Sequence, residues 1–202
     1  MTSLVVVSAG LRVPSTTAQL ANQLSAAAER ELGLLESPVE VTRIEVRDHA
    51  HAIADALLTG FPTGELASAV SAIAEADALV IVTPTFQASY SGLFKSFFDL
   101  VESLAGIPVL LAATGGTERH SLVLDYALRP LVSYLGGVTV PTGVYAATAD
   151  LGGPGAPKLG MRIDRAAAEL ATLTAGSPLP RRRRDDFADV TPFEEQLRRL
   201  RP

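Results

Sequence analysis

Three stretches of this chain gather residue types that can hold an anion and a flat heteroaromatic ring. The first is Ser8-Ala9-Gly10-Leu11-Arg12-Val13-Pro14-Ser15-Thr16-Thr17, which joins hydroxyls, a flexible glycine and a guanidinium to the start of a helix. N–H groups at a helix start carry partial positive charge, Ser15, Thr16 and Thr17 donate hydrogen bonds, and Arg12 can pair with a dianion. That is the chemistry of holding a phosphate. The same residues also suit an ordinary N-cap at Ser15 or Thr16 with Arg12 in solvent, and the loop alone leaves both readings open. Rival phosphate motifs are absent: no Gly-Lys-Ser/Thr closes a P-loop, and Gly10 stands alone where a dinucleotide fingerprint needs three glycines.

The second stretch is Thr83-Pro84-Thr85-Phe86-Gln87-Ala88-Ser89-Tyr90-Ser91-Gly92. It offers rigid backbone, a flat apolar surface and polar side chains together, the combination an isoalloxazine ring needs. The third is Ala113-Thr114-Gly115-Gly116-Thr117-Glu118-Arg119-His120, whose paired glycines let main-chain N–H groups approach a ring edge. Donors aimed there would stabilise negative charge on a reduced ring. A branched side chain at Gly115 is expected to fill that space and to resist a positive φ. His120 either orients a ring or caps a helix beginning near Ser121.

These loops need elements to position them. Leu4-Val5-Val6-Val7, Ala78-Leu79-Val80-Ile81-Val82 and Val109-Leu110-Leu111-Ala112-Ala113 are short, apolar without alternation and rich in β-branched residues. They read as strands of a parallel sheet covered on both faces. Residues 39 to 46 mix apolar and charged positions, and residues 138 to 145 contain Pro141, so both are expected at sheet edges. Helical periodicity joins Leu20, Leu24, Ala28, Leu32 and Leu35, and again Leu93, Phe97, Leu100, Val101 and Leu104. The alternation predicts an α/β, doubly wound, five-stranded parallel sheet of order 2-1-3-4-5, the flavodoxin-like arrangement, over residues 1–175. In that order ligands sit beyond the carboxyl ends of strands one and three, where the first two loops lie. A response-regulator receiver of the same topology needs acidic residues after strand one and an aspartate closing strand three, where Ser8 and Thr83 stand instead.

Composition narrows the chemistry further. The 202 residues include no cysteine, which excludes disulfides, thiolate catalysis and cysteine-held metals, so redox chemistry must come from a bound cofactor. A net charge of -5 with no basic stripe argues against a nucleic-acid partner. No apolar run approaches the ~20 residues that cross a bilayer, and no signal-like segment follows Met1, so a cytoplasmic protein without membrane attachment is expected.

Taken together, the three loops resemble the NADPH-dependent FMN reductase family, most closely the subgroup partnered with luciferase-like flavin monooxygenases. The resemblance covers roughly residues 2 to 175 and rests on Ser8-x-Gly10-x-Arg12-x-x-Ser15-x-Thr17, on Pro84-x-Phe86-x-x-Ser89-Tyr90-Ser91-Gly92-x-x-Lys95, and on Thr114-Gly115-Gly116-Thr117-Glu118-Arg119-His120-Ser121. It implies FMN phosphate on the first loop and the ring against the second and third, with NADPH or NADH as hydride donor. It also implies a homodimer or dimer of dimers flanking the flavin and a flavin monooxygenase as recipient. Phe86 stands where many relatives have tyrosine. The implied reaction moves hydride from nicotinamide to flavin, needs no side-chain acid or base, and leaves a quinone or azo reductase and a flavodoxin-type electron carrier as alternatives.

Several other residues carry weaker signals. His49 and His51 do not share a helix face, which disfavours a metal site. Lys95 and Asp99, four apart, suit an exposed helix pair. Leu93, Phe94, Phe97, Phe98 and Val101 surround the helix after Gly92 and are expected to need a partner subunit. Residues 176–202 form a separate tail with 7 basic and 5 acidic residues, including Arg181 to Arg184. In it Thr191, Pro192 and Glu194 predict a capped helix whose Phe193, Leu197 and Leu200 dock on the body, with Phe187 also anchored.

Overall fold

The structure, a computed structural model, describes residues 1–35, 37–153 and 155–176. The Arg181 to Arg184 run and the helix expected from Thr191 lie outside the described residues.

The apolar runs form the strands β1 (Thr2–Ser8), β3 (Ala78–Phe86) and β5 (Pro108–Gly115), almost wholly buried. They are parallel neighbours, with Val6 opposite Val80 and Val80 opposite Leu110. β2 (Val39–Glu45) pairs with β1 at one edge. The opposite edge departs from the expected single fifth strand: it is split into β6 (Val138–Thr139) and β7 (Val144–Ala147), both parallel to β5. Pro141 lies in the break and has no N–H to give a ladder. Side chains take up the backbone groups released there, Arg129 donating to Val140 O at 3.3 Å and Thr142 N donating to Glu169 Oε2 at 2.7 Å. A two-residue strand β4 (Ser89–Tyr90) folds back antiparallel on β3. Among the described residues the strand count is therefore seven, in the order β2-β1-β3-β5-β6, and the expected five-stranded 2-1-3-4-5 path survives with its last member interrupted.

Helices cover both faces. α1 (Thr16–Gly33) buries Leu20, Leu24, Ala28 and Leu32 as its periodicity predicts, while Leu35 lies beyond its end and is exposed, and with α6 (Ala156–Ala175) it packs against Leu4, Val6, Val80 and Leu110. Each fully buried leucine contributes about 1.5–3 kcal/mol. The other face carries α2 (Ala50–Thr59), α3 (Gly64–Glu75), α4 (Gly92–Phe98) and α5 (Arg129–Tyr134) over Val5, Val7, Leu79, Ile81 and Leu111. A π-helical turn, Leu124–Leu128, leads into α5.

α4 corrects two expectations. It stops at Phe98 rather than continuing to Leu104, because Leu104 N bonds to Leu135 O at 2.7 Å instead of to its own helix. Phe94, Phe97 and Phe98 are also fully buried within this one chain, against one another and the sheet. The phenyl rings around α4 therefore require no partner subunit. Lys95 and Asp99 do form the expected exposed pair on this helix.

Candidate flavin site at the carboxyl edge of the sheet

Parallel pairing in register brings the ends of β1, β3 and β5 to one edge: Ser8 lies opposite Val82, and Pro84 opposite Thr114. The three loops singled out in the sequence leave the sheet together there. One contact joins the first and third of them, the Thr17 and Thr114 hydroxyls 2.8 Å apart, both buried and 97 residues apart in sequence.

In the first loop, Ser8 is 2% exposed and its hydroxyl has no hydrogen bond of ordinary geometry. Its neighbour across the ladder is Glu45, whose carboxyl is pushed above the ordinary 4.5 by burial and the Asp48 charge, against the Ser8 hydroxyl and Arg47. Gly10 is buried, and a Cβ on it would lie 2.1 Å from Ser15 Oγ. Only glycine lets the strand end pass so near the helix start. Ser15 is half-buried and caps α1, accepting from Ala18 N at 3.1 Å. The N-cap reading of this loop is the one seen here: Ser15 caps α1, and Arg12 and Thr16 are exposed. The first turn of α1 contains no acidic residue, so its partial positive charge is not neutralised from within that turn.

In the second loop, Pro84 is buried and Thr85 half-buried, its hydroxyl enclosed without a hydrogen-bond partner. Phe86 stands 46% exposed beside the hairpin turn at Gln87 and Ala88, whose φ values of 48° and 64° are both left-handed. Neither residue type favours that region, and each costs about 1–2 kcal/mol there relative to glycine. Ser89 and Tyr90 are half-buried in β4, and Tyr90 packs on Phe94 with ring centres 5.5 Å apart. Ser91 is wholly buried and capping α4: its hydroxyl accepts from Phe94 N at 3.2 Å, while its N–H donates to Thr83 Oγ1 at 3.1 Å. That serine is engaged in holding the loop. Gly92 is exposed at the first position of α4.

In the third loop, Gly115 is half-buried, Gly116 exposed and His120 exposed at the end of a short 3-10 turn. Gly115 does not have the positive φ expected of it. Its glycine is required by a close approach, because a Cβ would lie 2.0 Å from the hydroxyl oxygen of Tyr145. Tyr145, on β7, is 4% exposed and donates to Thr117 O at 2.8 Å. Sequence reasoning missed it; its only signal is an aromatic residue within the small-residue stretch Val144-Tyr145-Ala146-Ala147.

Elsewhere, a cavity of about 500 Å³ lies between α3 and the segment before β5, lined by Val70, Leu100, Val101 and Ile107, and includes no residue of the three site loops. No helix among the described residues is long and apolar enough to cross a membrane, and no group of three or more candidate metal ligands occurs among them.

A model of the NADPH-dependent FMN reductase family matches residues 2–151, the span that holds all three loops. The chain belongs to that family. Among its relatives, the FMN reductase (NADPH) of Pseudomonas aeruginosa is 44% identical over 148 residues, 72% of this chain and 77% of that protein. The NADH-dependent FMN reductase SfnF of Pseudomonas fluorescens is 43% identical over 148 residues, 72% and 76% of the two chains. The solved structure of an oxidoreductase from Corynebacterium diphtheriae superposes with a TM-score of 0.84 at 46% identity, covering 88% of this chain and 98% of that one. The flavodoxin-like fold and the family membership read from the loops both stand.

Proposed function

We propose that this chain is an FMN reductase that binds FMN at the carboxyl edge of β1, β3 and β5 and transfers a hydride to it from NADPH or NADH. The observation that carries the reading is the meeting of the three loops at one edge of the sheet, the first and third joined through Thr17 and Thr114, beside two buried hydroxyls, Ser8 and Thr85, that make no hydrogen bond of ordinary geometry within the protein. A buried unpaired polar group is costly, about 1–3 kcal/mol, so such groups suit a ligand that satisfies them. The helix start without an acidic residue suits a phosphate, and the hydroxyls and amides of the other two loops suit the polar edge of a ring.

In this reading Ser8, Gly10, Arg12, Ser15, Thr16 and Thr17 hold the phosphate end. Pro84, Thr85, Phe86, Ser89, Tyr90 and Gly92 form one wall of the ring site, while Thr114, Gly115, Gly116 and His120 form its edge. Ser91 supports that wall by capping α4. Bound FMN would supply the two-electron acceptor, so the residues need only orient the two reactants and exclude water. No side-chain acid or base is assigned. We extend the reading to a cytoplasmic homodimer or dimer of dimers that passes reduced flavin to a monooxygenase, supported by the subgroup resemblance alone.

The relatives differ in the nicotinamide nucleotide they are named for, so both donors belong in the test. Stopped-flow mixing of the FMN-loaded protein with NADPH, NADH or dithionite follows flavin bleaching at ~450 nm. Bleaching by either nucleotide at a rate above that of free FMN supports the reading. Bleaching by dithionite alone refutes it.

A further inference from the structure

Tyr145 stands opposite Ala113 in the β5–β7 ladder. Two residues further along β5, on the same face, comes Gly115. Ala113 and Gly115 leave a shallow track along which the phenol ring reaches the carboxyl edge, where its hydroxyl donates to Thr117 O, 28 residues away in sequence. A Cβ at Gly115 would lie 2.0 Å from the hydroxyl oxygen, 3.1 Å from Cζ and 3.6 Å from Thr85 Cβ. Burial raises the phenol above its ordinary value of 10, as does the Asp150 charge, against the neighbouring Thr85 hydroxyl, so Tyr145 remains a donor at neutral pH.

We infer that Tyr145 is a positioning residue for the flavin, its hydroxyl fixing the Thr117 carbonyl and thereby the path of residues 115–117 past the ring edge. The inference rests on the FMN reductase reading and adds to it a residue outside all three loop motifs. It also reassigns Gly115: the side chain excluded there is excluded by the phenol. Thr85 belongs to the same group, since its enclosed hydroxyl neighbours the phenol and makes no hydrogen bond of ordinary geometry.

The test combines Tyr145→Phe, Gly115→Ala and the double variant, with two readouts. Hydrogen exchange on the protein without added flavin reports the loop: amides of residues 115–120 should exchange faster in Tyr145→Phe. FMN fluorescence titration reports the site: Tyr145→Phe should weaken binding about tenfold, as expected for a loop freed of one hydrogen bond. Gly115→Ala should weaken it more, by forcing the phenol aside. The double variant should bind more tightly than the product of the two losses predicts, because removing the hydroxyl leaves the ring carbon at 3.1 Å, a tight contact that a shift of a few tenths of an ångström relieves. That rescue is specific to the proposed contact, since general damage to the fold would accumulate. Unchanged exchange in Tyr145→Phe, unchanged FMN affinity in it, or losses that multiply in the double variant each overturn the role of Tyr145. A wild-type protein that fails to bind FMN overturns the function itself, and the role with it.

Discussion

Replacing Ser15 with aspartate separates the two jobs that the first loop combines. Ser15 Oγ accepts the Ala18 N–H at 3.1 Å, and aspartate caps a helix about as well as serine. The first turn of α1 has no acidic residue, so a carboxylate at the cap gains about 0.3–1 kcal/mol from the helix dipole. The fold should therefore be as stable as wild type or slightly more so. FMN should respond in the opposite sense. The variant loses a hydroxyl contact to a charged phosphate, about 1.5–3 kcal/mol, and sets a negative charge against a dianion. Two unit charges ~4 Å apart repel by about 4 kcal/mol at an effective dielectric of 20, and a quarter of that is a cautious share for a half-buried site. The total, about 2.5–4 kcal/mol, corresponds to a weakening of FMN binding on the order of 10² to 10³.

Three measurements on one preparation decide the matter: urea unfolding, FMN titration and riboflavin titration. Riboflavin has no phosphate, so its affinity should change by less than about threefold, a difference of ~0.65 kcal/mol. An aspartate variant of normal stability that binds FMN like wild type would show that the phosphate does not lie at α1. Equal losses for FMN and riboflavin would show a general disturbance of the loop.

Further outcomes follow from the same geometry. Arg12→Ala should leave stability within about 0.5 kcal/mol, because Arg12 is exposed, while weakening FMN by about 1.5–3 kcal/mol; equal titrations would remove Arg12 from the site. Ala88→Gly should stabilise the protein by about 0.5–1 kcal/mol in urea unfolding, since relief of the left-handed strain exceeds the entropy of the added glycine; a lower midpoint would mean the turn is not strained. Burial opposes ionisation of Glu169, but bonds from Thr142 and Arg165 outweigh it and hold the carboxyl below 4.5. Its contribution is present above 4.5 and lost as pH falls through the lower folded value, so Glu169→Gln should flatten the acid limb of the stability profile. An unchanged limb would refute that assignment.

The sheet was legible because its three central strands are buried on both faces and their apolar runs are continuous. The edges were legible for the complementary reason, charge in β2 and a proline where β6 gives way to β7. What stayed hidden depends on contacts between distant residues. The phenylalanines around α4 looked like a surface waiting for a partner, because a sequence cannot show that a short helix is enclosed by its own chain. The turn at Gln87 and Ala88 was hidden because neither residue type prefers the positive φ that a two-residue hairpin turn demands.

Ser15 and Ser91 show the limit most sharply. Both open a helix, both accept the N–H three residues on, and both stood in the sequence as ligands for a flavin. Burial separates them. Ser91 is fully enclosed and bound at its N–H by Thr83, which leaves it a support for the ring wall. Ser15 is only half-buried beside exposed Arg12 and Thr16, at a helix start whose positive end no acidic residue of the first turn offsets. A hydroxyl that caps a helix uses one lone pair as acceptor and keeps its proton to donate. Ser15 can thus cap α1 and donate to a phosphate at once, so the two readings that the sequence left open for the first loop are compatible.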